Sequence, residues 1–84
     1  MDKVIKCILI GTDTIIVSEI AEIYAEIGDP NCKLIKPYRY YGENDLRPWP
    51  EVTDETEILV RAENLFTIVD PKESILEKYL ELTE

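Results

Sequence analysis

The sequence predicts an all-β domain, a small bent barrel of five short strands followed by one C-terminal helix. Short runs rich in β-branched and aromatic residues recur along the chain, turn residues separate most of them, and one clear helix start occurs near position 70. The 84 residues, 45% of them hydrophobic, suffice for a single small core. We therefore expect residues 1–70 to form the barrel and residues 71–84 to form a helix packed on the same single domain.

The first two strands are predicted to form a hairpin. The apolar, β-rich run from Val4 to Ile10 precedes the turn residues Gly11 to Thr14, and a second apolar run begins at Ile15.

The segment from Ser18 to Gly28 fits two patterns. A helical stripe would consist of Ile16, Ile20, Ile23 and Ile27, with Ser18 as a possible cap and Gly28 as a possible end. A strand would place the following residues on one face, with Glu19 as the exception: Ile15, Val17, Ala21, Ile23 and Ile27. The local pattern leaves the two alternatives equal, and the β-rich remainder of the chain favours the strand.

The middle of the chain predicts three more strands. The first, Cys32 to Tyr41, contains Pro37, which cannot donate to a β-ladder and therefore predicts an edge, a bend or a bulge. The polar stretch from Gly42 to Glu57 is predicted to be a long loop with a partly rigid tip at Pro48-Trp49-Pro50. Ile58 to Ala62 and Leu65 to Val69 are the last two predicted strands.

The C-terminal segment has the features of a helix start. Asp70 stands at the cap position, Pro71 at the first helical position, and Glu73 three residues after the cap. The apolar stripe of this helix is Ile75, Leu76, Tyr79 and Leu80, with Leu82 to its side, and the helix is expected to span about Pro71 to Leu82.

Composition excludes several classes of function. A net charge of −9 argues against a basic domain that grips duplex backbone. The chain lacks histidine, so the commonest general base and zinc ligand is missing. We therefore expect no enzyme activity and no cofactor.

Cysteines and acidic residues add no predicted metal site. Cys7 and Cys32 have no CxxC spacing and are expected to be reduced core residues. The acidic cluster Glu51, Asp54, Glu55 and Glu57 lacks the spacing of a calcium loop and is expected to be a solvated loop. With no leader sequence and no membrane-length apolar run, the protein is expected to be cytoplasmic.

The run from Ile58 to Ile68, ILVRAENLFTI, resembles the second conserved segment of Sm and Sm-like (LSm) proteins. In that family an apolar strand, Arg or Lys, Gly, any residue, Asn and an apolar strand follow one another, and here Ala62 stands at the glycine position. Leu9 to Val17 is similar to the first Sm hairpin, and Gly28 to Leu34 is similar to the Asp and Asn loop.

A resemblance over nearly the whole chain is to short cyanophage proteins with an Sm-like fold. It is carried by the Gly11–Thr14 hairpin, Leu34 to Tyr38, Trp49-Pro50, Ile68 to Pro71 and a helix ending near Tyr79. The resemblance implies a five-stranded SH3-like or Sm-like barrel, in which Ser18 to Ile27 is a strand. It also implies a homo-oligomeric ring, and a host-cell cytoplasm if the protein is phage-encoded. The Sm helix lies at the start of the chain, whereas this sequence has only a C-terminal one.

The resemblance also implies a nucleic-acid site. In Sm-like rings the loop that holds the Arg and Asn faces the pore and binds a splayed single-stranded base, which places Arg61 and Asn64, together with Asp29 and Asn31, at the site. Arginine stacks on base faces and asparagine bonds base edges. The alternative is an ordinary turn, in which Asn64 adopts a left-handed conformation and Arg61 pairs with a nearby acid.

A secondary patch is predicted from residues 33–50. This stretch has four basic and two acidic residues (+2), whereas the remainder has 5 basic and 16 acidic residues (−11). The candidates are Lys33, Lys36, Arg39, Tyr41, Arg47 and Trp49, with Tyr38 and Tyr40 interleaved. Such interleaving suits single-strand stacking and protein contacts equally.

The predicted function is therefore a homo-oligomeric ring that binds single-stranded RNA or DNA in nucleic-acid processing, without membrane association. The alternative is a ring-shaped structural or adaptor protein that contacts only protein partners, including a host factor.

Overall fold

The computed structural model describes residues 4–11, 13–23, 26–27, 30–42, 44–61 and 67–84. These residues form six strands and one helix, which are β1 (Ile5–Ile10), β2 (Thr14–Glu22), β3 (Cys32–Gly42), β4 (Asp45–Pro48), β5 (Glu57–Val60), β6 (Thr67–Val69) and α1 (Glu73–Thr83). The predicted all-β class with a C-terminal helix is confirmed.

The strands pair antiparallel in one sheet with the order β4-β3-β2-β1-β6, and β5 also pairs with β3. Among the described strands, neither β4 nor β5 pairs with β6, so the sheet is open. The prediction of a closed five-stranded barrel is therefore wrong in strand number and in closure. The additional strand is β4, which lies within the predicted loop from Gly42 to Glu57.

The β1–β2 hairpin forms as predicted. Ile10 lies opposite Thr14, and Gly11 in the turn has a φ of 68°, a left-handed conformation that glycine adopts without steric cost. The turn continues directly into the ladder, in which Ile8 faces Ile16.

The segment that fits both helix and strand, which begins at Ser18, belongs to strand β2 as far as Glu22. The pairs that join its second half to β3 run from Glu19 with Ile35 to Glu22 with Cys32, so these residues form a strand and not a helix. Beyond Glu22 the strand ends, and Ile27 is fully exposed. Its predicted place on the buried face of the strand is therefore wrong, because the paired part of β3 begins only at Cys32.

A β-bulge interrupts β3 at Pro37, as predicted. Val17 pairs with Tyr38 and Glu19 pairs with Ile35, so Lys36 and Pro37 together lie opposite Ser18. Lys36 has a φ of 52°, which is uncommon for a residue other than glycine. Because the ladder is interrupted at this point, Pro37 needs no N–H there.

Helix α1 begins later than the sequence predicts. Its N-cap is Lys72, whose side chain makes no capping hydrogen bond, and not Asp70. The Asp70 carboxylate instead forms an ion pair with the Lys6 ammonium group of β1. The predicted apolar stripe is confirmed, with Ile75 and Tyr79 buried and Leu82 42% exposed.

Two apolar clusters lie on opposite faces of the sheet, because Ile16 and Val17 are neighbours in β2 and point to opposite sides. On one face α1 packs Ile75 and Tyr79 against Val17 and Leu46. On the other face Ile8, Ile16 and Leu34 are fully buried. The side chains that pack against this second cluster are Ile10, Ile20, Trp49, Ile58 and Val60.

Candidate nucleic-acid interface

The register of β3 and β5 brings two predicted site residues to the same end of the sheet. Cys32 pairs with Val60 in an antiparallel ladder, so Asn31, which precedes Cys32, and Arg61, which follows Val60, lie at the same end of this strand pair. Both residues are exposed. The backbone carbonyl of Asn31 accepts a hydrogen bond from the N–H of Ile23 at 3.2 Å. The other two predicted site residues, Asp29 and Asn64, lie outside the described residues.

The secondary patch contains an exposed stack of one aromatic ring and two guanidinium groups. The Cζ atom of Arg39 lies 5.0 Å and that of Arg47 4.4 Å from the centre of the Tyr41 ring. Arg39 and Arg47 are cross-strand partners in β3 and β4. A second register shift, between Tyr40 and Gly42, makes Tyr41 the additional residue of β3 at this point. Arg39 and Tyr41 are two residues apart in β3, a spacing that places two side chains on the same face of a strand.

Two carboxylates accept hydrogen bonds from this stack. The Arg47 guanidinium donates to both oxygens of Asp45, at 3.0 and 3.1 Å, and the Tyr41 hydroxyl donates to Glu51 at 2.8 Å. The hydrogen bond to Glu51 raises the pKa of Tyr41, and the one from Arg47 to Asp45 raises the pKa of Arg47. Arg39 forms no ion pair with any residue that the structure describes.

The other three predicted patch residues, Lys33, Lys36 and Trp49, make their contacts with residues outside the stack. The Lys33 ammonium pairs with Glu57 at 3.0 Å across β3 and β5. Lys36 donates to the carbonyl of Thr83 at the C-terminal end of α1, at 3.1 Å. Trp49 packs against the cluster of Ile8, Ile16 and Leu34. The structure therefore does not join the six predicted residues into one basic surface.

Sequence reasoning missed the two acids that bond to the stack. Asp45 and Arg47 are two residues apart in one strand, which places them on the same face, but the prediction of a loop at this position hid that signal. Glu51 lies in the turn after β4, and no local pattern links it to Tyr41.

Both cysteines are free, as predicted, with Cys32 buried and Cys7 half-buried. Burial raises the pKa of each thiol, and the negative charge of Glu22 raises that of Cys32 further. Both thiols are therefore poor nucleophiles at neutral pH.

Within the described ranges, no three acidic or cysteine side chains are grouped so that they could hold a metal ion. The same part of the chain contains no helix long and apolar enough to span a bilayer.

The protein is a small antiparallel β-sheet protein with one C-terminal helix. Its candidate binding site is the end of the β3–β5 strand pair at which the exposed Asn31 and Arg61 lie. The chain belongs to the family of unknown function DUF6561, whose model matches residues 3–84. A search of the curated proteins finds no match to this chain.

Proposed function

We propose that this protein assembles into a homo-oligomeric ring through the edges of its sheet and binds single-stranded nucleic acid at the end that carries Asn31 and Arg61. The observation that carries the proposal is the register of Cys32 with Val60, which brings these two exposed residues to one end of β3 and β5. The Sm-like resemblance implies the same neighbourhood for the Arg loop and the Asp and Asn loop.

The open edge of β6 supports assembly. Within the described strands β6 pairs only with β1, and the side chains of Ile68 and Val69 are 47% and 44% exposed. An unpaired edge with exposed apolar side chains is a template for pairing with another chain. Pairing this edge in a second copy with β4 or β5, each of which pairs only with β3 among the described strands, would close the sheet between protomers and continue around a ring.

The net charge of −9 determines how nucleic acid would bind. Attraction to phosphates is weak at such a charge, so affinity must come from base stacking on arginine and from contacts to base edges. Such binding favours single strands over duplex and gives a shallow dependence on salt.

A second candidate function, an adaptor that contacts only protein, is favoured by the ion pairs of the patch. Lys33 is paired with Glu57 and Arg47 with Asp45, so two of the four basic side chains of residues 33–50 are already paired with acids. Arginine beside tyrosine is also a frequent composition of protein interfaces.

Light scattering during gel filtration and oligonucleotide binding separate these two functions. The proposal expects an oligomer at micromolar concentration, an absorbance ratio shifted toward 260 nm after mild purification, and fluorescence anisotropy that rises with single strands more than with duplex. A monomer would overturn the ring. An oligomer that binds no single strand would leave the adaptor as the function.

A further inference from the structure

A groove with a volume of about 370 Å³ lies between the bulge of β3, the turn after β4 and the C-terminal end of α1. Its walls include three prolines and two aromatic rings, which are Pro37, Pro48, Pro50, Tyr38 and Trp49. The volume falls at the small end of the range for ligand pockets, roughly 300 to 1,000 Å³. The groove is separate from the end of the sheet that carries Asn31 and Arg61, neither of which lines it.

Two hydrogen-bond donors at this groove have no acceptor among the residues that the structure describes. The indole N–H of Trp49 and the hydroxyl of Tyr38 donate to no residue in the described part of the chain. That part contains no buried side-chain nitrogen or oxygen without a partner, so both donors are accessible to solvent. A bound ligand with exposed carbonyl groups could accept from them.

The rim of the groove is acidic. Asp54 and Glu55 are exposed there, against one cation, Lys36, whose ammonium group donates to the carbonyl of Thr83. A strand of nucleic acid in this groove would bring its phosphates close to two carboxylates. A ligand that has positive charge beside an apolar segment is complementary to both the acidic rim and the apolar walls of the groove.

We propose that this groove binds a basic, proline-containing peptide segment in the polyproline II conformation. Such a segment has no internal hydrogen bonds, so its carbonyls are free to accept from Trp49 and Tyr38. Proline rings pack on aromatic side chains, and the preformed backbone loses little entropy on binding. Lysine or arginine residues that flank the prolines lie against Asp54 and Glu55.

Trp49 is the only tryptophan of the chain, so its fluorescence reports directly on the groove. The probe is a capped peptide without aromatic residues, in which two adjacent prolines are flanked by arginines. One control peptide replaces the prolines by alanine and another replaces the arginines by glutamate. We expect a saturable change of Trp49 emission with the first peptide at micromolar to millimolar concentration, and weaker binding of both controls. Equal binding of the alanine peptide, or no change of emission at millimolar peptide, would overturn the proposal.

Variants locate the site on the protein, with affinity measured by anisotropy of the labelled peptide. Trp49→Phe removes the indole donor and is expected to weaken binding about 3 to 10-fold. Because Trp49 packs against the core, the decisive variant is the exposed pair Asp54→Asn with Glu55→Gln, which is expected to weaken binding about 2 to 10-fold.

The matched control is Glu77→Gln with Glu81→Gln, which makes the same change of net charge on helix α1 at two residues that do not line the groove. It is expected to leave peptide affinity unchanged. If the two double variants bind the peptide equally, the assignment of a basic peptide to this groove is wrong.

Discussion

The hydroxyl of Tyr79 in helix α1 lies 2.9 Å from the backbone carbonyl oxygen of Lys36, the left-handed residue of the β3 bulge. It also lies 3.0 Å from the carbonyl oxygen of Ile35 and accepts a hydrogen bond from the N–H of Glu19 at 3.1 Å. One phenol therefore bonds to three backbone groups at the bulge, with its single proton shared between the two carbonyls, and it joins the helix to β2 and β3.

Removing this hydroxyl is expected to destabilise the fold. Tyr79→Phe keeps the ring in the core but removes this partner from the part-buried N–H of Glu19 and carbonyl of Lys36, which lowers the free energy of unfolding by about 1 to 3 kcal/mol. Urea denaturation measures the loss. The matched control is Tyr40→Phe, because the hydroxyl of Tyr40 makes no hydrogen bond in the described part of the chain. Equal stability of the two variants would contradict the role of Tyr79.

The contribution of the Tyr79 hydroxyl to the free energy of unfolding is expected to disappear at alkaline pH. Burial raises the pKa of Tyr79, so the folded protein keeps this proton to a higher pH than the unfolded chain does. The contribution is thus complete below the unfolded-state pKa of about 10 and is lost as the pH rises through the folded-state pKa. The difference in unfolding free energy between the wild type and Tyr79→Phe should therefore narrow above pH 10. All other side chains are the same in the two proteins, so their contributions cancel in this comparison. A constant or widening difference would refute the prediction.

The left-handed backbone of Lys36 predicts an unusual order of substitutions. Asparagine adopts this conformation readily, whereas a β-branched residue does not. Lys36→Val is therefore expected to be about 1 to 2 kcal/mol less stable than Lys36→Asn. Both variants lose the hydrogen bond to Thr83, so the difference between their unfolding free energies reports on the backbone conformation at position 36. Denaturation curves that coincide would show that the bulge relaxes without a cost.

A charge on the open edge is expected to prevent assembly. Ile68→Lys places an ammonium group on exposed β6, where pairing with another copy would bury it. Gel filtration with light scattering should show a smaller mass than for the wild type. Val52→Lys is the control, because Val52 is 93% exposed and lies outside the strands. An unchanged mass for Ile68→Lys would place the contact between copies elsewhere.

Arg61 and Asn64 are expected to affect nucleic-acid binding in different ways. Arg61→Ala should weaken binding of single strands by about 1 to 3 kcal/mol for each base stacked, whereas Asn64→Ala should change base preference more than affinity. Anisotropy at two salt concentrations measures both effects, with a shallow salt slope equal to about one or two phosphate contacts. Lys72→Ala, which removes one positive charge from the start of α1, is the control for charge alone. Equal binding by the wild type and Arg61→Ala would make the loop an ordinary turn.

The local sequence was sufficient for elements whose cause lies within a few residues. Gly11 permits the left-handed turn of the first hairpin, and Pro37, which has no N–H, predicts the bulge in β3. The stripe of Ile75 and Tyr79 predicts the buried side of the helix because its spacing follows the helical period.

Tertiary structure decided the features that depend on a partner distant in sequence. Ser18 to Glu22 fits helix and strand equally, and only the ladder with β3 makes it a strand. Asp70 has the features of a helix cap, yet its carboxylate pairs with Lys6, so α1 begins after Lys72.

For the candidate site too, the sequence predicts some features and only the tertiary structure decides the others. Composition identified the arginines and tyrosines of residues 33–50, because charge and aromatic content can be read position by position. The pairing of Lys33 with Glu57, and the placement of Asn31 and Arg61 at one end, follow from the register of β3 with β5. A shift of one residue in that register would turn each side chain to the other face, and the strand sequences alone do not specify the register between strands so far apart in the chain.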